Sequence, residues 1–342
     1  MPRALVTGIA GQDGWYLSKL LVGKGYEVVG CGRPGTLLGP RGAPLRELGV
    51  KLVEIDLLDR YQTLRGVAEV APDEIYNLAG HSFVPQSWDD PATAIRITSW
   101  PVIHLMDAVR EVSPHSRFYQ SSTSEIFGLA TTSPQDEETP VAPANPYAAA
   151  KVFAHQLVAL YRAHYGLFAC SGILYNHESP RRPPQFVTAK VCHAAKAIRA
   201  GRQRELWLGD LDVTRDWGFA GDSVDAMWRM LQQQKPADFI IGTGVSHTVR
   251  ELCELAFRRV GLDYREHVKQ DPAFMRPGQP SRLVADPSRA HRELGWQATT
   301  GFEALVAMMV DGAPGYVESF TGVPDDFQRP AQGEVDKREK IP

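Results

Sequence analysis

Thr7-Gly8-Ile9-Ala10-Gly11-Gln12-Asp13-Gly14 stands between an apolar run and an amphipathic segment, with glycines at the spacing GxxGxxG. No other stretch restricts the fold of this chain as much. ALVTG (4–8) reads as a buried strand and DGWYLSKLLVGKG as a helix closing at Gly25, so the glycines occupy a strand-to-helix turn. Such a turn lets backbone approach a pyrophosphate, while the helix N-terminus supplies amide donors and partial positive charge. Gly8, Gly11, Gln12, Asp13 and Gly14 are therefore candidate dinucleotide contacts. The same glycines also suit a tight turn in a sheet that binds no nucleotide.

YEVVGCG (26–32), KLVEIDLLD (51–59), DEIYNLAG (73–80), SRFYQSST (116–123) and FACSGILYN (168–176) read as further strands. Helices fall between most of them, one around 99–112 and another over 148–165. Alternation of this kind predicts an α/β fold: a Rossmann-type doubly wound parallel sheet with right-handed crossovers. Beyond Asn176 the pattern loosens into short elements, which predicts a smaller α/β substrate-binding lobe. The expected division is 1–176 with a returning segment near 216–246 for the dinucleotide, and 177–215 with 247–323 for the lobe. Residues 324–342 have almost no apolar side chains and read as a solvated tail.

Composition narrows the function classes. At 342 residues and 43% hydrophobic, the chain has material for a packed core. Its net charge of −3, from 37 Lys+Arg against 40 Asp+Glu, provides no basic field for nucleic acid or an anionic membrane. Cys31, Cys170, Cys192 and Cys253 lie far apart with no metal or disulfide spacing, which suits a reducing cytoplasm and predicts no metal site. The opening Met-Pro-Arg-Ala-Leu-Val-Thr-Gly lacks a signal-peptide pattern, and no run approaches the about 18 apolar residues of a membrane span.

The ends of the strands carry the chemistry. Cys31-Gly32-Arg33 falls about 20 residues after the glycine turn, where an NAD-preferring site usually places an acid. With no carboxylate to repel a 2′-phosphate and a guanidinium to fork onto it, NADP is favoured, an ordinary exposed arginine being the plain alternative. Asp56-Leu57 falls where an adenine amine is held, and Leu78-Ala79-Gly80 puts small residues along the cofactor's middle. Thr123 closes the fifth strand, and Tyr147 and Lys151 share a face of the helix that follows. The ammonium can lower the phenol's pKa and hold the nicotinamide ribose, so Tyr147 becomes a base while Thr123 shares the substrate oxygen.

Taken together, TGIAGQDGWYL, YNLAG, YQSSTSEIFG, NPYAAAK, YGLFACSGILYNHESPRR, FVTAK, RDWGFAGD, MWRMLQQ and LGW resemble the extended short-chain dehydrogenases/reductases, and within them the GDP-mannose 4,6-dehydratase family. The resemblance spans residues 4–310. It implies oxidation of a hexose at carbon 4 by tightly bound NADP, removal of the acidified carbon 5 proton, loss of water from carbon 6, and return of the hydride there. Elimination needs a second acid/base, and Glu125, two residues after Thr123, supplies a carboxylate for it. Ser124 would orient the sugar or that carboxylate. By similarity Ser82 and Val84 face the hexose, and Asn176, Lys190, Arg215 and Arg276 hold the nucleotide diphosphate. Glu178 and Arg181 belong to the same signature and shape its loop.

Departures from the family bear on specificity and assembly. GRPGTLLGPRG replaces an Arg-Arg-Ser-Ser-like segment, which argues against a tetramer and leaves a homodimer through two long helices. AGHSFV puts His81 and Phe83 near the sugar, and Gln279 stands where a glutamate would hold the guanosine ribose. His81 is either an additional acid/base or a hydrogen-bonded neighbour. Three other readings stay open: a 4-ketohexose reductase on the same fold, a dehydratase of a different nucleotide hexose, and a non-catalytic NADP-binding regulator.

Overall fold

The computed structural model describes residues 1–37, 39–80, 82–274 and 283–312. The first half alternates strand and helix: β1 (Arg3–Thr7), α1 (Gln12–Gly23), β2 (Glu27–Gly32), α2 (Ala43–Glu47), β3 (Lys51–Glu54), α3 (Arg60–Val70), β4 (Glu74–Asn77), α4 (Gln86–Asp89), α5 (Pro91–Val112), β5 (Arg117–Ser121), α6 (Pro146–Tyr165) and β6 (Ala169–Leu174). There follow β7 (Asn176–Glu178), α7 (Val187–Arg199), β8 (Leu206–Leu208), β9 (Thr214–Phe219), α8 (Ala220–Leu231), β10 (Phe239–Ile241), β11 (Ser246–Thr248), α9 (Val249–Arg259), α10 (Tyr264–His267), β12 (Val268–Gln270), α11 (Ser288–Leu294) and α12 (Phe302–Asp311).

Seven strands form one parallel sheet in the order β10-β6-β5-β4-β1-β2-β3. This is the doubly wound α/β sheet that the alternation predicted. The strand order reverses between β1 and β4, so their carboxyl ends part there and leave the crevice where such sheets bind ligands. Period-two burial explains the layering. On β1, Leu5 packs into the apolar layer with Val102, Leu105 and Val158, whereas Ala4 and Val6 pack into the opposite layer with Leu17, Leu21 and Met227. Phe118 and Tyr119 on β5 divide in the same way.

Two elements differ from expectation. The fifth helix begins at Pro91, eight residues before the expected 99, because Asp90 caps it by accepting from Thr93 N at 3.0 Å and Pro91 opens it. Pro101 lies inside that helix and conceals its first half from a sequence reading. The third strand stops at Glu54: Asp56 Oδ1 accepts from Leu58 N and Asp59 caps α3, so 55–59 form a turn.

Contacts divide the chain into two compact units. Among the described residues, the first takes in Met1–Ser179, Thr214–His247 and 283–305; the second is built on Pro180–Val213, 248–274 and 306–312. Expected in the smaller lobe, residues 283–305 pack in the first unit instead. Asp216 and Gln135 bind the amides of Ala285 and Val284, and Trp296 Nε1 donates to the Asp222 carbonyl. In the second unit, β8 and β12 pair in parallel beside α7 and α9. The expected tail, 324–342, lies outside the described residues.

Candidate active site

The glycine turn closes directly onto the end of β4. Gly8 has φ +62°, and a Cβ there would lie 2.7 Å from the Leu78 carbonyl oxygen and 2.9 Å from Ala79 N, so glycine is required. Gly14 is equally confined, since a Cβ would meet the Ile9 carbonyl oxygen at 2.3 Å. Gly11 is the N-cap of α1 and provides no side-chain hydrogen bond to its first amides. Gly8, Gly11, Gly14, Leu78 and Ala79 thus gather at the switch point. Gly80 follows them, and the atom nearest its open side is Lys151 Nζ, 3.7 Å from a Cβ built there.

Gln12 and Asp13 are tied to the segment around β7. Gln12 Nε2 donates to the His177 carbonyl at 3.0 Å, and Ser179 Oγ donates to Gln12 Oε1 at 2.7 Å. Asp13 Oδ2 lies 2.9 Å from His177 Nε2, whose Nδ1 faces the Tyr175 carbonyl at 2.7 Å. His177 escaped the sequence reading; its only signal was membership of NHESP.

A buried polar line crosses the carboxyl ends of β1, β4 and β5. Ala79 N donates to Thr7 Oγ1, Thr7 Oγ1 to Asn77 Oδ1 at 2.6 Å, and Asn77 Nδ2 to Gln120 Oε1 at 2.8 Å. Gln120 Nε2 then reaches the Ser121 carbonyl, which also accepts from Lys151 Nζ at 2.8 Å. Lys151 is thereby fixed in the second turn of α6, one turn after Tyr147. Burial lowers its pKa from 10.5 to about 8, opposed by the negative charge of Asp13. Both side chains are buried, with the ammonium 5.8 Å from the centre of the Tyr147 ring.

Thr123 caps a short 3-10 turn, Ser124–Phe127, and its hydroxyl accepts from Glu125 N at 3.3 Å. Ser124 is buried within that turn, whereas Glu125 is half-buried. Asn145, the N-cap of α6, donates from Nδ2 to Glu125 Oε2 at 3.0 Å and accepts from Ala148 N at 2.8 Å. The four residues proposed for chemistry therefore come from the turn after β5 and from the first two turns of α6, joined through Asn145, whose only sequence signal is its place in NPYAAAK.

Other expected residues are more dispersed. Arg33 is exposed just past β2, and Gly35 N in the same turn donates to Glu54 Oε1 at 2.8 Å. Asp56 sits in its turn with Leu57, whose carbonyl faces His104 Nδ1 at 2.8 Å. Ser82 is exposed and Val84 half-buried. Asn176 pairs in register with Trp217, so Asn176 and Arg215 share a face of the small parallel pair β7–β9. Arg215 Nη1 donates to the Thr214 carbonyl at 2.7 Å. Glu178 is buried and Arg181 half-buried. Lys190 belongs to the second unit, where it donates to the Trp207 carbonyl at 2.9 Å and lies over the Phe274 ring; burial lowers its pKa. His81, Arg276 and Gln279 fall outside the described residues. Among the described residues, no group of His, Cys, Asp and Glu is set to hold a metal, and no helix is long and apolar enough to cross a membrane.

A family profile described as GDP-mannose 4,6 dehydratase matches residues 5–309. GDP-mannose 4,6 dehydratase 2 of Arabidopsis thaliana is 44% identical over 322 residues, covering 90% of this chain and 86% of the relative. Among solved structures, the UDP-glucose 4-epimerase of Thermus thermophilus in complex with NAD is 27% identical with a TM-score of 0.77, covering 90% of this chain and 98% of the other. A dTDP-glucose 4,6-dehydratase from Streptomyces venezuelae, 23% identical, shares the fold with a TM-score of 0.81 over 95% of this chain and all of the other.

Proposed function

The chain belongs to the GDP-mannose 4,6-dehydratase family, and from this we propose that it is a hydro-lyase converting GDP-mannose to its 4-keto-6-deoxy form by internal hydride transfer and loss of water. The observation that carries the reading is the presence of a carboxylate, Glu125, beside the hydroxyl of Thr123 and linked through Asn145 to the helix of Tyr147 and Lys151. A plain reductase has no use for that carboxylate.

A nicotinamide dinucleotide fits the residues at the switch point. Gly11 leaves the amides at the start of α1 without a side-chain cap, which favours phosphate there. Gly80 keeps the space beside Lys151 open for a ribose. NADP is the proposed form, with Arg33 taking the 2′-phosphate. Held by the glycine turn and Lys151, it would supply the hydride acceptor for carbon 4 and the hydride donor for carbon 6.

The chain's own groups handle the protons. Tyr147 accepts the proton of the 4-hydroxyl, and the Lys151 ammonium, held by the Ser121 carbonyl, stabilises the phenolate. Thr123 shares the same hydroxyl, since its oxygen accepts from Glu125 N and its own proton remains to donate. Glu125 then removes the carbon 5 proton, which the new ketone has made acidic.

Assembly and location follow the same reading. α5 and α6 pack side by side, and Trp100, Phe153 and Leu160 stand exposed on them. Phe153 and Leu160, two turns apart, share one face of α6. A second copy of the chain is the proposed occupant of these helices. None of the four cysteines is in a disulfide, which suits a reducing cytoplasm.

The test is incubation with GDP-mannose in deuterium oxide. Loss of one water by mass, deuterium at carbon 5 and no net change in nicotinamide absorbance are expected. Absence of a 6-deoxy product, with added NADPH consumed against a 4-keto sugar, would replace this reading with the reductase.

A further inference from the structure

Asn145 has two tasks that can be separated. Its Oδ1 accepts from Ala148 N at 2.8 Å, and its Nδ2 donates to Glu125 Oε2 at 3.0 Å. The cap decides which end of the amide faces the carboxylate. A flipped amide would set donor against the backbone N–H and acceptor against the carboxylate, losing both bonds.

The loops are built to keep this contact. Ala142 N donates to the Ile126 carbonyl and Leu129 N to the Ala142 carbonyl, both at 2.7 Å, which laces the Glu125 turn to the approach of α6. Gly128 permits the close fit: a Cβ there would lie 2.8 Å from Ala144 Cβ and 3.1 Å from Ala144 N. Among the described residues, Asn145 is the hydrogen-bond partner of the Glu125 carboxylate.

We propose that Asn145 is a positioning residue for the loss of water: it occupies Oε2 of Glu125 and assigns the proton shuttle to Oε1. This inference rests on the dehydratase reading above. In the step, the carbon 5–hydrogen bond breaks and its proton passes to Oε1. The electron pair forms the carbon 5–carbon 6 double bond as the carbon 6–oxygen bond breaks. Oε1 returns the proton to the departing oxygen, which leaves as water. After proton uptake Oε2 is still accepting, so the acidic proton stays on the oxygen that must deliver it.

Asn145→Ser and Asn145→Asp test the proposal, because both residues cap helices about as well as asparagine while neither donates an amide to Glu125. Thermal unfolding, the KM for GDP-mannose and the first-turnover rise in nicotinamide absorbance should stay close to those of the unsubstituted enzyme. Water loss should slow about 10- to 100-fold, the worth of one hydrogen bond to a charged group. A 4-keto sugar retaining its carbon 6 hydroxyl should therefore accumulate with reduced cofactor, up to one equivalent per site. In Asn145→Asp the second carboxylate should also move the acidic limb of the kcat profile upward, by about one pH unit and further than in Asn145→Ser. Equal slowing of both steps, or a product and pH profile that do not change, would overturn the role of Asn145. If the unsubstituted enzyme forms no 6-deoxy product, the dehydratase reading itself falls and this inference goes with it.

Discussion

Replacing Lys151 by methionine should make the cofactor-free protein more stable while removing its activity. Burial places the Lys151 ammonium at a pKa of about 8 against 10.5 for a free lysine. At about 1.4 kcal/mol per unit, the charged form costs the folded state on the order of 3 kcal/mol at neutral pH. Its hydrogen bond to the Ser121 carbonyl returns about 1 kcal/mol, so a neutral side chain of similar length should gain roughly 2 kcal/mol. The sign follows from linkage. Between pH 8 and 10.5 the unfolded chain binds more protons at this position than the folded one, so unsubstituted protein gains stability as pH rises through that window. The advantage of Lys151→Met should be full below pH 8 and should shrink by about 2 kcal/mol by pH 10. Urea titrations of both proteins without NADP, at pH 7 and pH 10, give the double difference in which other titrations cancel. A variant less stable at pH 7, or an advantage independent of pH, would refute the assignment of a buried, strained charge.

Tyr147→Phe should lower turnover by about two to four decades, the worth of a lost general base; fluorescence titration should find NADP affinity nearly intact, and near-normal turnover would count against the role. Arg33→Ala should weaken NADP by about 1.5–3 kcal/mol and NAD far less. Calorimetric titration with both cofactors checks this, and equal weakening would show that Arg33 does not read the 2′-phosphate. Gly8→Ala should cost at least ten-fold in affinity for either dinucleotide and lower the melting temperature. Its Cβ must be housed 2.7 Å from the Leu78 carbonyl at a left-handed φ; unchanged binding would mean that the turn and the end of β4 part freely.

Local structure was legible without coordinates. The apolar runs read as strands became six strands of the central sheet, because short buried strands announce themselves through continuous apolar residues bounded by turn signals. Tyr147 and Lys151 share a helix face by the arithmetic of 3.6 residues per turn. Where local signals were mixed, boundaries slipped: Pro101 concealed the first half of α5, and the polar end of KLVEIDLLD is a turn.

What the chain order alone could not supply is every contact made by strands that cross over. Lys151 meets the Ser121 carbonyl thirty residues away, and Asp13 meets His177 across 164 residues. The line from Thr7 through Asn77 to Gln120 exists because β1, β4 and β5 lie side by side, an adjacency set by where each crossover helix can pack. Asn145 makes the same point at short range. It stands in NPYAAAK with no role assigned from sequence, and its cap on α6 and its grip on Glu125 depend on two loops that Gly128 allows to touch. Residue identity and spacing determined the proposed reacting groups and the helix that carries two of them; tertiary packing decided which of their atoms are held.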